Sequence, residues 1–170
     1  MEPIRIMVNG IPGNMAVEVA SHALKDSRFH VIPQSLTGPE ISETEYALGP
    51  EKFRLLHPKT RDADIAELIR RQGTFICVDY THPSAVNENA EFYCRNGLPF
   101  VMGTTGGDRT RIEMTVSDSS IAAVIAPNMA KQIVGFQAMM AYAANTFPDL
   151  FKGYGLEVAE SHQRGKADTS

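Results

Sequence analysis

The chain has 170 residues, enough for one ordinary domain with a sizeable core, or for one domain and the beginning of another. Apolar residues make up 43% and charged residues 21%, and the net charge of −4 comes without any block of like charge. That balance leaves no electrostatic footprint for nucleic acid or an anionic membrane, so neither is expected as a partner.

Ile4 to Val8 is a compact apolar run ending in Asn-Gly, the pattern of a strand buried in a parallel sheet. A helical pattern follows, with Met15, Val17, Val19, Ala20 and Leu24 expected on its apolar face and Asp26 and Ser27 breaking it. Val31 and Ile32 begin a short second strand that runs into Pro33, and the Gly, Pro, Ser and Glu rich stretch from Gly38 to Pro50 reads as an exposed loop. Phe53 to Leu56 is another strand, and Asp62 is expected to cap a helix carrying Ile65, Leu68 and Ile69, closed by Gly73. Strands at 75–78, 100–102 and 122–126 alternate with helices at 83–96 and about 108–117. Alternation with short connections implies an α/β fold, a Rossmann-like doubly wound parallel sheet over residues 1–127. From residue 128 the pattern changes to a long helix over 131–147, a PDLFKGYG loop and a strand at 156–159. This reads as the start of a second, α+β domain over 128–170 that is cut short.

Cys77 and Cys94 are too few and too far apart for a metal motif, and both lie in apolar-periodic stretches, so no metal site is expected and both read as core thiols. No run approaches the ~18 apolar residues of a membrane span. MEPIRIMVNG is too short for a secretory h-region, which makes a cytoplasmic setting the expectation, with plastid residence open where a transit peptide has been removed.

NGIPGNMA, residues 9–16, falls where the first strand meets the first helix. Gly10 suits a tight turn, Gly13 a close approach of backbone amides to a pyrophosphate, and Ala16 close packing of helix on sheet. The spacing is G-x-x-G-x-x-A rather than G-x-G-x-x-G, but the helix N-terminus there forms an anion site. After the second strand stand Gln34, Ser35 and Thr37 where NAD-selective sites carry an acid. Hydroxyls without a carboxylate tolerate a 2′-phosphate, which favours NADPH over NADH. No arginine stands in that segment, and Glu40 is near enough to serve NADH instead. DYTHP at 79–83 and GTTGG at 103–107 both end parallel strands, at the edge where open α/β sheets bind ligands.

Together NGIPGNMA, VDYTHPSAVNENAEFYCRNGLPFVMGTTGGDR, APNMAKQ and ESHQRGKADTS resemble the dihydrodipicolinate reductase (4-hydroxy-tetrahydrodipicolinate reductase) family, most closely its plant-type branch, over nearly the whole chain. The resemblance implies an oxidoreductase of lysine and diaminopimelate biosynthesis that reduces a cyclic imine dicarboxylate with NADPH or NADH. It implies a homo-oligomer, dimer or tetramer, when full length. By motif, Gly10, Gly13, Asn14 and Met15 would line the pyrophosphate. Tyr80, Thr81, Gly103, Thr104 and Thr105 would hold the nicotinamide ribose and ring, and Asn128 would lie on the carboxamide side. In ESHQRGKADTS the residues Glu160, His162, Lys166, Asp168 and Ser170 match the family's basic signature, with Gln163 in place of a second histidine, as in plant-type members. That makes His162 and Lys166 the implied catalytic pair, with Lys166 and Ser170 also meeting the substrate. The Gly-Thr that completes this loop in the family would follow Ser170, so the 170-residue chain alone is expected to bind cofactor without turning over. Two other readings stay open at this point: another two-domain NAD(P)-dependent dehydrogenase, and a non-catalytic NAD(P)-binding module.

Overall fold

A computed structural model describes residues 2–126 and 128–155, together with 157, 159 and 161. The chain divides into two compact units, Met1–Pro127 and Asn128–Ser170. In chain order the first contains β1 (Ile4–Asn9), α1 (Asn14–Ala23), β2 (Phe29–Val31), β3 (Gln34–Leu36), β4 (Glu45–Leu48), β5 (Glu51–Leu56) and α2 (Arg61–Gln72). It continues with β6 (Ile76–Asp79), a 3-10 turn at Pro83–Ala85, α3 (Val86–Arg95), β7 (Phe100–Met102), α4 (Arg109–Ser117) and β8 (Ala123–Ile125). The second unit contains α5 (Lys131–Thr146).

Five strands form a parallel sheet in the order β2-β1-β6-β7-β8. From β1 the chain winds outward to β2, then crosses back to β6 on the other side of β1. The strand order therefore reverses between β1 and β6, and a crevice opens beyond their carboxyl ends. Side chains alternate along each strand. Met7, Cys77, Phe100 and Met102 point to one face, where they pack with Ile65, Leu68, Tyr93 and Ile112 of α2, α3 and α4. Ile6 and Val8 point to the other, against Ala16, Ala20 and Ala23 of α1. Two cores on opposite faces make the sheet doubly wound, as its pattern predicts.

The buried face of α1 is built from alanines, while Met15 and Leu24, expected on that face, are 57% and 38% exposed. Small side chains bring the helix backbone close to the sheet, which leaves no room for larger ones. The second strand is also split: β2 stays in the main sheet, and past Pro33 β3 joins a separate three-stranded sheet ordered β3-β5-β4. Within the stretch expected to be loop, Glu45–Leu48 pairs antiparallel with β5, setting Tyr46 opposite Phe53. Gly49, at φ +62, opens the two-residue turn Gly49-Pro50, a twist that hairpins of this length require. The cap of α2 is Thr60 rather than Asp62, which lies in the first turn, where its charge suits the helix dipole. Asp108 does cap α4, accepting the Arg111 N–H at 3.1 Å. The strand expected over 156–159 falls largely outside the described residues.

Cys77 is fully buried, and burial, followed by the charge of Asp79, pushes its thiol far above the ordinary range. Phe100 lies at the centre of the α3-facing core, 1% exposed, with its ring 5.2 Å from that of Tyr93. Replacing Phe100 by Ala should lower the free energy of unfolding in urea by about 3–5 kcal/mol; a loss below about 1 kcal/mol would mean that this core repacks freely.

Candidate functional site

Asn9 and Asp79 are the last residues of β1 and β6 and lie opposite each other in the parallel register. Both are fully buried polar groups at the sheet edge that borders the crevice. The Asp79 carboxylate is answered by five donors, none of them cationic. Its Oδ1 accepts the Thr81 N–H at 3.0 Å, the Thr81 hydroxyl at 2.8 Å and the Thr104 hydroxyl at 2.8 Å. Its Oδ2 accepts the Tyr93 hydroxyl at 2.6 Å and the Asn89 amide at 3.1 Å. The Tyr93 hydroxyl in turn accepts from the Asn9 side-chain amide nitrogen at 3.0 Å, and Asn9 Oδ1 accepts the Leu36 N–H at 2.9 Å. One network thus ties together the turns that follow β1, β3, β6 and β7.

The glycine turn is held from both ends. Gly10 donates its N–H to the Leu36 carbonyl at 2.9 Å, and Ile11 donates to the Ser35 hydroxyl at 3.1 Å. Gly10 takes φ +108, and a Cβ there would collide with the Tyr80 carbonyl. A Cβ at Gly13 would meet the Gly10 carbonyl at 2.8 Å, the same oxygen that accepts the Gly13 N–H at 2.7 Å. The amide of Gly13 is therefore used within the turn. The open donors are those of the first turn of α1, whose N-terminus has no side-chain cap.

Beside this turn lies a cavity of about 790 Å³, of a size that suits a dinucleotide. Gly10, Gly13, Thr37, Tyr80 and Thr81 line it, which brings together five of the residues expected from sequence. Thr104 is buried beneath it on Asp79, and Gly103 packs against the Tyr80 ring, too close for a Cβ. Thr105 is partly exposed, and Asn14 and Met15 are exposed on the first turn of α1. Ser35 is fully buried, and its hydroxyl accepts from Ile11 and donates to the Leu36 carbonyl at 3.1 Å, which braces the glycine turn from behind. Asn128 belongs to the second unit, where its side chain accepts the Ala130 N–H at 3.0 Å. His162, Lys166 and Ser170 lie outside the described residues.

Two charged residues at the site, Arg61 and Glu88, have no forerunner in the motif reading, whereas His82 belongs to DYTHP and Glu40 is the acid weighed for NADH. Arg61 and His82 contribute basic groups to the cavity wall, and Glu40 and Glu88 contribute carboxylates. Asp79 and Asn9 did carry a sequence signal, since each is the first polar residue after an apolar strand, at the edge where a parallel sheet binds ligands. Among the described residues no three His, Cys, Asp or Glu side chains converge as a metal site, and no helix is long and apolar enough to cross a membrane.

Burial, and then the charge of Asp79, pushes the Tyr93 hydroxyl well above its ordinary value. A group of this sign supports the fold fully below the unfolded value near 10 and loses that support as pH rises through its raised folded value. Tyr93→Phe should cost about 1–3 kcal/mol at neutral pH, because the Asn9 amide and an Asp79 oxygen each lose a buried partner. It should also flatten the alkaline loss of stability in urea midpoints measured between about pH 8 and 11. An unchanged alkaline arm would show that Tyr93 does not carry it.

The sequence has counterparts among known proteins. The family pattern described as dihydrodipicolinate reductase, N-terminus, matches residues 4–129. The chain is 46% identical to 4-hydroxy-tetrahydrodipicolinate reductase 2, chloroplastic, of Arabidopsis thaliana, over 98% of its own length and 48% of that protein's. To the probable 4-hydroxy-tetrahydrodipicolinate reductase 2, chloroplastic, of Oryza sativa subsp. japonica it is 44% identical over 97% of its length and 50% of the relative's. To the 4-hydroxy-tetrahydrodipicolinate reductase of Streptococcus uberis it is 31% identical, covering 97% and 58%. The chain spans about half the length of the plant relatives it matches. With its first unit matched almost from end to end and the glycine turn inside that match, the chain belongs to the dihydrodipicolinate reductase family.

Proposed function

We propose that residues 1–127 bind NADPH or NADH and that the protein bearing this chain reduces 4-hydroxy-tetrahydrodipicolinate to tetrahydrodipicolinate in lysine and diaminopimelate biosynthesis. The observation that supports this reading is the Gly10–Gly13 turn beneath the uncapped α1 N-terminus, opening at the β1–β6 crossover onto a cavity of about 790 Å³. Unpaired first-turn amides and the positive end of the helix dipole suit a pyrophosphate there. The rigid turns carrying Tyr80, Thr81, Gly103 and Thr104, all tied to Asp79, would orient the ring and exclude water from its face. A reduced nicotinamide supplies the hydride when bound.

Residues 128–170 are the hinge and the beginning of the substrate portion in this reading. The family resemblance makes His162 and Lys166 its proton donors and carboxylate partners. The 4-hydroxyl leaves as water to give a conjugated ring, hydride addition to that ring leaves electron density on it, and a nearby imidazolium or ammonium stabilises and protonates it. Lys166 with Ser170 would meet a substrate carboxylate. The partner is a small molecule and not nucleic acid or membrane, and assembly is as a homo-oligomer. The compartment proposed is the plastid, after the plant relatives named chloroplastic.

Calorimetry of the 170-residue chain with NADPH and NADH tests the first half. Binding of at least one is expected, and Gly10→Ala should weaken it about tenfold or more, since the added Cβ displaces the Tyr80 turn. A well-folded chain that binds neither dinucleotide would sink the reading. For the second half, His162→Gln or Lys166→Met in the protein bearing this chain should lower kcat by about 10²–10⁴-fold and leave the dinucleotide Kd unchanged. Wild-type kcat in both variants would remove the pair from the chemistry.

A further inference from the structure

Arg61 opens α2 and lines the same cavity as Thr37 and Gly38. Among the described residues its charge has no ion pair. The two carboxylates nearest to it in sequence are each held by another arginine: Asp62 by Arg95 at 2.7 Å and Asp64 by Arg54 at 2.7 Å. The partners of Arg61 itself are neutral. Its Nη1 donates to the Asn89 side-chain oxygen at 2.9 Å, its guanidinium stacks 4.6 Å from the centre of the Phe92 ring, and its Nε is buried with no hydrogen-bond partner. A partly buried guanidinium fixed by an amide and an aromatic face, yet given no carboxylate, is preorganised to receive an anion from the cavity.

The charges around it narrow what that anion is. The pyrophosphate already has the α1 N-terminus, on the Gly10–Gly13 side. The segment Thr37–Ile41, which follows the second strand and borders the ribose in folds of this topology, contributes only the carboxylate of Glu40. With Glu88 also in the wall, the cavity without Arg61 would hold two carboxylates against the single imidazole of His82. A second phosphate on the adenosine ribose would then be repelled.

Resting on the dinucleotide reading above, we propose that Arg61 is the residue that makes this site accept the 2′-phosphate of NADPH and so sets its preference over NADH. It acts as a specificity determinant, with Asn89 and Phe92 holding its fork and the Asp79 network holding Asn89.

Binding of adenosine 2′,5′-bisphosphate and adenosine 5′-monophosphate to the wild-type chain isolates the 2′-phosphate, and NADPH and NADH repeat the comparison on the whole cofactor. The 2′-phosphorylated ligand of each pair should bind about 10- to 100-fold more tightly, and Arg61→Gln should bring both ratios close to one while NADH affinity stays within about twofold. Arg61→Lys should keep part of the preference. Overturning results are a wild-type chain with no 2′-phosphate preference, which decides the matter even if the glutamine variant fails to melt cooperatively, and an Arg61→Gln chain that loses NADH and NADPH equally. The last outcome would make Arg61 a structural counter-charge to Asp79 through Asn89. Since NADH binding persists in each of these cases or falls with the variant alone, they are distinct from failure of the dinucleotide reading, in which the wild type binds neither.

Discussion

A carboxylate buried without a cation must be satisfied by neutral donors, and at Asp79 that requirement organises the whole ligand edge of the sheet. Five hydrogen bonds converge on it, from two threonines, an asparagine, a tyrosine and one backbone amide. The donors come from three places in the chain, so the carboxylate fixes the turn after its own strand, the turn after β7 and one face of α3 at once. Leaving one of those donors out would strand an acceptor in a low-dielectric interior, a larger cost than the bond itself contributes. The positions of Tyr80, Thr81 and Thr104 are therefore consequences of one buried charge more than of local turn preference.

The same logic runs outward in layers of decreasing burial. Asn9 and Tyr93 pass the network from β6 to β1, and Asn9 hands it to Leu36 on the second, smaller sheet. Asn89 passes it in the other direction to Arg61, at the cavity wall. Neutral donors surround the deepest charge, and the exposed side chains His82, Glu40 and Glu88 appear only where water or ligand can reach them. Such a gradient keeps the architecture insensitive to what enters the cavity while leaving its rim free to discriminate.

Much of the fold was legible because it depends on local pattern. Strand runs ending in Asn-Gly or Asp-Tyr-Thr, and helices closed by glycine, carry their own boundaries, and the alternation of the two implies a parallel sheet. Glu45–Leu48 was hidden by its surroundings: four residues between Gly38 and Pro50 form a strand only because Phe53 supplies a partner face for Tyr46. Met15 and Leu24 are expected inside by size, and the close approach of α1 to the sheet buries only alanines fully, with Val17 and Val19 at the margin. At the site, the motifs indicated which turns meet but not which groups within them face the ligand. The pairing of the Ser35 hydroxyl with the Ile11 amide has no local signature, and Arg61 is separated from Thr37 by a hairpin that only the three-dimensional fold closes.

The split of the second strand has one more consequence. Because Gly10 donates to Leu36 and Leu36 donates to Asn9, the small sheet is sewn to the glycine turn by two opposed hydrogen bonds across a seam between sheets. This side of the cavity is thus built on a second sheet, three short strands whose connections, including the tip at Gly49-Pro50, do not run through the main sheet. Its hairpin can lengthen, shorten or change charge while the five-stranded frame and the Asp79 cluster stay as they are, so long as the residue at position 36 keeps its backbone in register with Gly10.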